Sequence, residues 1–580
     1  MYALKWGLPY LSKYKAMLIF GQIINLINIA LSLVNPLMAG RIVGNVIIGG
    51  QNELLFRYLG VMVGITVYRS VARYCFLMMH EHVAQKILYE LRHDVYYKLH
   101  SQNFPWFDKN KVGDIMARMT GDLDALRHFV AFTIHAVPEN IILYFAAIIA
   151  MAFISVPLTL LLMITTPIVI YAAVKQSREI RPAFRNIREQ FSNLNSVCSE
   201  NIGGNRVVKA FTQEEYETEK FDRANGSFYN ANMETARIRI KYFPVMETCA
   251  ALLPWILLLF GGLMVIWGYL ELWQLVTISG YLWMINNPTR MFTWCINDLQ
   301  NAATSLDKIF EMMRQEIFIK SPENAVKKDR LEGKIEFKDV CYKYSYEPGS
   351  NILNNISFTA NPGDTIGIIG KTGAGKTTLM LLLSRFYDTR DGQLLIDGID
   401  VKDYDLQSLR KNIAYAMQDI FLFSDTVEGN IAYGVPDAPL ENILEAADIA
   451  DANEFVSRMP EGYDTIVGER GVGLSGGQKQ RISLARAIAT DPVILILDDV
   501  TSAVDMETEH RIQNALSEKI IKSGKQRTTF IVAHRLSSVR HADLILVLEN
   551  GEIKERGTHD ELLAQKGHYY ELHEEQKAMR

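Results

Sequence analysis

Between Lys15 and Arg41 the chain carries no charged residue. Four more such stretches follow in its first half: Tyr58–Tyr68, Asn140–Val174, Thr248–Leu270 and Leu272–Thr289. A bilayer core is about 30 Å thick and takes roughly 20 apolar residues of helix to cross. Asn140–Val174 is too long for one crossing, and Ser155-Val-Pro157 breaks it in the middle, so it reads as two spans joined by a tight turn. Glu271 marks the turn between the two stretches that flank it. The second span is the weakest, because Tyr58–Tyr68 is short and Arg69 and Arg73 follow within about a turn of each other. Six crossings are expected.

Charge places the loops. Lys5, Lys13 and Lys15 precede the first span, and Val83–Gln102 and Lys175–Arg188 are rich in Lys and Arg, whereas the turns at 155–157 and 271 have almost none. The positive-inside rule then puts both termini in the cytoplasm, with short outer turns and long inner connections. Arg69 to Asn103 contains no Pro or Gly, and Ala172 to Ile202 only Pro182, so these inner connections read as helices running on well past the membrane. Phe104–Asp108 and Asn201–Asn205 break them at their far ends, where a soluble domain following the sixth span could make contact. Charged residues within spans are costly and often functional. Arg69, Arg73, Glu139 and Glu247 either pair near the interface or line a water-filled path, and two arginines in a cavity favour an anionic or amphiphilic cargo. The aromatic set Tyr281, Trp283, Phe292 and Trp294 fits helix packing or a cargo wall.

The 580 residues average two unlike halves, with 49% hydrophobic residues and a mean hydropathy of only +0.04. The net charge is +6 over residues 1–320 and −11 over 321–580, so the second part reads as an acidic cytosolic domain. The overall −5 argues against a nucleic-acid-coating protein. Five scattered cysteines without a CxxC pair argue against a disulfide framework or a zinc site and suit a reducing compartment.

The acidic part carries nucleotide chemistry. Thr365–Ile369 is a short apolar strand, Gly370-Lys371-Thr372-Gly373-Ala374-Gly375-Lys376-Thr377 follows, and Thr378–Phe386 reads as a helix. This is the phosphate-cradling loop in its strand–loop–helix setting. Its glycines admit backbone N–H groups to the phosphates, and the helix N-terminus adds a positive dipole end. Lys376 is expected to bridge the β- and γ-phosphates, and Thr377 to ligate Mg²⁺. A second buried strand, Val493–Leu497, ends in Asp498, the expected metal carboxylate, and Asp499, where a base aligning the attacking water would sit. A third, Thr529–Ala533, delivers His534. Ligands bind at the carboxyl ends of such strands, so all three point to one edge.

Between the first two lies Leu474-Ser475-Gly476-Gly477-Gln478. With this pentapeptide in order among the other motifs, the second half resembles the ATP-binding cassette family, and the whole chain resembles its exporter-type half-transporters of the type IV fold. The resemblance implies a six-span α-helical membrane domain (1–320), a linker (321–333) and an α/β P-loop nucleotide-binding domain (334–580). It implies ATP and Mg²⁺ as ligands, adenine stacking on Tyr344, and a phosphate site spanning Gly370 to Thr378. It also implies a Q-loop glutamine at Gln418 that contacts Mg²⁺ and the membrane domain, an X-loop at Glu469 and a D-loop at Asp505. Family members dimerise head to tail, so Ser475, Gly476, Gly477 and Gln478 would meet the γ-phosphate held by a second chain. Gly113–Met119 and Asn201–Phe211 resemble coupling helices. The catalytic set would be Asp499, His534 and Gln418, but the family usually has Glu where this chain has Asp499. That departure points to the slow-site half of a heterodimer, with a slowly hydrolysing homodimer or a nucleotide-gated regulatory protein as alternatives. The expected activity is export of a small amphiphile, lipid or peptide across a bacterial cytoplasmic membrane.

Overall fold

The uncharged stretches are helical in the computed structural model, which describes residues 2–344, 351–523 and 526–578, with side chains for all of these except 2–4, 289, 290, 292, 293 and 517–523. A short helix α1 (Tyr2–Ser12) precedes α2 (Lys15–Ile48) and α3 (Leu54–His100). Next come α4 (Phe104–Lys109), α5 (Val112–Ile154), α6 (Val156–Gly203), α7 (Asn205–Phe211), α8 (Glu214–Ile266) and α9 (Leu272–Arg314). Five of these, α2, α3, α5, α6 and α8, are long and apolar enough to cross a membrane, and α3 has the lowest hydropathy among them, 1.3. The 43-residue α9 lies beside them as the sixth long helix.

The breaks have local causes. Ser155 is extended (φ −157°, ψ 106°), ending α5, and Pro157 occupies the first turn of α6, where a missing N–H costs nothing. Glu271 caps α9 reciprocally with Gln274 and accepts a hydrogen bond from Trp273 Nε1 at 2.6 Å. The inner connections are continuous helix: α3 runs 47 residues, about 70 Å, and α6 runs through Pro182.

The chain divides into two compact units, residues 1–100 with 113–315, and residues 101–112 with 316–580. In the first unit, Leu143, Ala147, Met151, Leu158, Leu253, Leu257, Ile278 and Met284 form a buried apolar cluster. α2 and α9 cross closely. A Cβ on Gly40 would lie 2.5 Å from the carbonyl oxygen of Trp273, and one on Gly280 would lie 2.6 Å from Pro36 Cβ. All five cysteines are free.

Gly113–Met119 lies at the start of α5, and Asn201–Phe211 spans the end of α6 and α7, both within the first unit. The inner segment that belongs to the second unit is 101–112, built on α4. There the Phe104 ring stacks on Phe386 (centroids 4.3 Å apart), and the Tyr387 hydroxyl donates to Asp108 at 2.6 Å.

The second unit has two principal sheets. One is antiparallel, β2-β1-β4-β5, made of β1 (Ile335–Tyr342), β2 (Leu353–Ala360), β4 (Asp391–Ile396) and β5 (Ile399–Asp400). The other runs β12-β11-β3-β10-β9-β6, where β3 is Thr365–Gly370, β6 Ile413–Ala416, β9 Ile494–Asp498, β10 Thr528–Val532, β11 Leu544–Glu549 and β12 Glu552–Gly557. Asp425–Thr426 (β7) and Ile466–Val467 (β8) pair separately. β3, β10, β9 and β6 are mutually parallel and nearly all apolar, as strands covered on both faces must be. Helix α10 (Lys376–Leu383) follows β3 and stops before the expected Phe386, since Arg385 adopts a left-handed φ of 49°.

Chain entry into this unit is latched by Asp397, in the turn between β4 and β5. Its carboxylate, 2% exposed, accepts from the N–H groups of Glu332, Gly333 and Lys334 at 2.8, 3.0 and 3.1 Å. Removing it orphans three donors at once. Asp397→Ala should therefore lower the stability of the nucleotide-binding unit by about 2–4 kcal/mol, measured as an earlier thermal transition of the full-length protein; an unchanged transition would count against the latch.

Candidate active site

β3 ends where the phosphate loop must turn back over the sheet. Gly373 and Gly375 take φ of +83° and +96°, and a Cβ on Gly375 would lie 2.7 Å from Leu353 Cδ2, so a side chain is excluded by both strain and space. Lys376 is buried, and its ammonium donates to the carbonyl oxygens of Gly370 (2.7 Å) and Lys371 (3.1 Å), inside the loop. Burial lowers its pKa, opposed by Asp498 and Asp499.

Asp498 ends β9, 1% exposed. Burial pushes its carboxyl pKa up; hydrogen bonds from the Tyr415 hydroxyl, 2.9 Å away, and from Thr377 pull it back. A buried carboxylate and a threonine hydroxyl beside a buried ammonium set hard oxygen ligands next to a phosphate-binding cation, a combination suited to a hydrated divalent cation and the phosphates it accompanies. Asp499 adopts a left-handed φ of 52°, anchored by its N–H to the carbonyl oxygen of Val532 at 2.9 Å. The parallel register of β3, β10 and β9 thus brings Gly370–Thr378, Asp498 and Asp499 to one edge, with His534 exposed just beyond β10. Tyr344 joins them: its hydroxyl lies 3.2 Å from Thr378 Oγ1, and its ring stands edge-on to Tyr342 and Tyr387. Gln418 is exposed two residues after β6.

Ser475 and Gln478 form a capping box at the start of helix α11 (Gly476–Ala489). Ser475 and Gly476 are solvent-exposed, and among the described residues no hydrogen bond or ion pair joins 475–478 to 370–378. Glu469 is exposed in a short turn, and Asp505 caps the next helix by accepting from the Thr508 N–H at 2.9 Å, which lowers its pKa.

Two residues with site roles escaped the sequence reading. Tyr415 shows only as an aromatic within the Ile-Ala-Tyr-Ala strand. Gln480, two residues past the pentapeptide, is 6% exposed and ties α11 to the segment after β9. Its Nε2 donates to Ser502 Oγ (3.0 Å) and the Asp499 carbonyl (3.4 Å), and its Oε1 accepts from the Ala503 N–H (3.0 Å).

Comparison with known proteins agrees with this geometry. A profile of the ABC transporter transmembrane region matches residues 18–289, and an ABC transporter profile matches 353–502. The chain is 38% identical to the ABC transporter ATP-binding protein YknU of Bacillus subtilis (strain 168), itself uncharacterized, over 97% of this chain and 96% of that one. The chain is an ABC transporter. It is also 35% identical to an ATP-dependent lipid A-core flippase of Syntrophus aciditrophicus (strain SB), over 85% of this chain and 81% of the other. Its fold matches the structure of a bacterial Atm1-family ABC exporter with ATP bound, with a TM-score of 0.83 and 25% identity, covering 97% of this chain and 99% of that one. This ABC transporter is therefore a multi-span membrane exporter with an ATP-binding ATPase domain after its helices. ABC exporters work as dimers.

In this exporter the Tyr415 hydroxyl donates to Asp498 and pulls its carboxyl pKa down against the upward push of burial. Tyr415→Phe removes a hydrogen bond that lowers the Asp498 pKa, so the carboxylate protonates at higher pH. Photolabelling of this chain by azido-ATP with Mg²⁺, followed between about pH 5 and 8, should lose its signal at a higher pH in the variant than in the wild type; coincident curves would show that Tyr415 does not act on Asp498.

Proposed function

We propose that this ABC exporter is the slow-site half of a heterodimer that moves a small amphiphile, lipid or peptide outward across a bacterial cytoplasmic membrane, with both termini in the cytoplasm. The observation that carries the asymmetry is Asp499. Its carboxyl follows Asp498 at the end of β9, with the backbone fixed by the bond to Val532, so the side chain's length decides its reach. Asp is one methylene shorter than Glu, and a misplacement of about 1 Å can cost on the order of 10²-fold in rate.

In this reading Gly370–Thr378 cradle the phosphates of ATP, Tyr344 meets the adenine, and Lys376 bridges the β- and γ-phosphates. Thr377 and Asp498 would hold Mg²⁺, with Gln418 closing on it from the exposed end of β6. When bound, the metal would neutralise phosphate charge. Asp499 would orient the attacking water weakly, and His534 would assist at the γ-phosphate. Ser475, Gly476, Gly477 and Gln478, solvent-exposed or half-buried on this chain, would complete the site of the partner, which carries Glu at the position of Asp499. A homodimer that hydrolyses slowly is the competing reading.

This chain purified alone is expected to hydrolyse ATP slowly, and Asp499→Glu to raise the rate of the assembled dimer by about 10-fold or more. Copurification from the native membrane should bring a second, different ABC chain. Fast turnover by this chain alone would defeat the heterodimer, and no ATP-driven movement of any cargo into inverted vesicles, with any partner, would defeat the exporter.

A further inference from the structure

Charge and hydrogen-bonding capacity are unevenly balanced in one cavity of the membrane unit. The cavity, of about 510 Å³, lies among α2, α3, α5 and α9. Two guanidinium groups from α3 line it, Arg69 and Arg73, with one carboxylate, Glu139 of α5. Arg73 is satisfied: its Nη1 lies 2.7 and 2.8 Å from the two carboxylate oxygens of Glu139. Arg69 is one turn away on the same face, and its Nε is buried without an acceptor among the described residues. Arginine stays protonated in proteins, so the lining keeps one positive charge beyond what Glu139 balances.

Neutral groups there are also short of partners. Asn28 of α2 is 7% exposed, and neither its amide oxygen nor its amide nitrogen is hydrogen-bonded. His135 of α5 is fully buried; both ring nitrogens lack a hydrogen bond, and Nδ1 is 3.6 Å from Glu139. Each such group carries a penalty of about 1–3 kcal/mol unless a ligand or water meets it. Apolar surface from Ile29, Leu143 and Trp283 lies beside them. Hydrocarbon wall, a free guanidinium and unpartnered donors together form a receptor for a molecule with an acidic head and a greasy tail.

We propose that this cavity binds the anionic headgroup of an acidic amphiphile, with Arg69 as its counter-ion and Asn28 and His135 hydrogen-bonding the acid oxygens. This rests on the exporter reading above and narrows its cargo from amphiphiles at large to acidic ones. The Arg73–Glu139 pair holds α3 and α5 together at the cavity wall and leaves Arg69 to the ligand. The apolar wall favours an amphiphile over a small free anion.

The test is equilibrium binding of radiolabelled dodecyl phosphate to the full-length chain, with its partner where one copurifies, in neutral phosphatidylcholine nanodiscs. Dodecyl phosphate is expected to bind at least about tenfold more tightly than dodecyltrimethylammonium or inorganic phosphate, a gap of about 1.4 kcal/mol. Arg69→Gln should erase most of that preference, and Arg69→Lys should retain much of it. Asn28→Leu, which removes unpartnered polar atoms, should weaken dodecyl phosphate while leaving the cationic amphiphile unchanged. The proposal is overturned if Arg69→Gln binds dodecyl phosphate like the wild type, if the cationic amphiphile binds more tightly, or if inorganic phosphate binds equally well. ATP-driven uptake of a cationic dye without dodecyl phosphate binding would overturn this site and leave the exporter standing. Dodecyl phosphate binding with no ATP-driven transport of any probe would support the site and sink the exporter.

Discussion

The hydrogen-bond ladder joining β3, β10 and β9 sets the position of the phosphate chemistry in this chain. These strands are parallel and in register, Thr529 beside both Thr365 and Leu495, Val532 beside both Ile368 and Asp498. A parallel strand pair needs a crossover connection, so residues far apart in sequence end on the same edge. The phosphate loop, the two aspartates and the histidine are consequences of that register. A slip of one residue in β9 would turn Asp498 to the other face of the sheet and separate it from Lys376 and Thr377.

Much of this was legible because its chemistry needs rare residues at fixed spacing. Only glycine suits the backbone at 373 and 375, and a charged residue ending an apolar strand stands out, so the phosphate loop and Asp498 could be read directly. The membrane helices were legible for a related reason, since long uncharged runs have few other uses. Tyr415 and Gln480 were not, because each acts through a partner dozens of residues away or across a helix–strand packing that local pattern does not encode. Residues 101–112 were half legible. Phe104-Pro-Trp-Phe-Asp108 stood out as a break, but its packing on Phe386 and Tyr387 is not encoded in local pattern.

The membrane unit spends its polar groups differently from the ATPase unit. In the second unit, Asp397 and Asp498 each meet several donors. In the first, Arg73 and Glu139 satisfy each other, while Asn28, Arg69 and His135 keep unmet capacity around one cavity. Tyr281, by contrast, is buried and donates to the Leu33 carbonyl at 2.8 Å, so it belongs to packing. Trp294 packs edge-on against Phe132, Trp283 faces the cavity, and the Phe292 side chain lies outside the described residues.

Residues 101–112 are encoded in the first half of the chain yet fold with the second, Phe104 on Phe386 and Asp108 on Tyr387. The boundary between the units is therefore crossed by three lengths of polypeptide, at 100–101, 112–113 and 315–316. Recombination that exchanged the ATPase with that of a relative at a single point near 316 would leave the dodecapeptide facing a foreign surface. The cassette is modular in its chemistry but not in its genetics, because a working graft has to carry a short insert from upstream along with it.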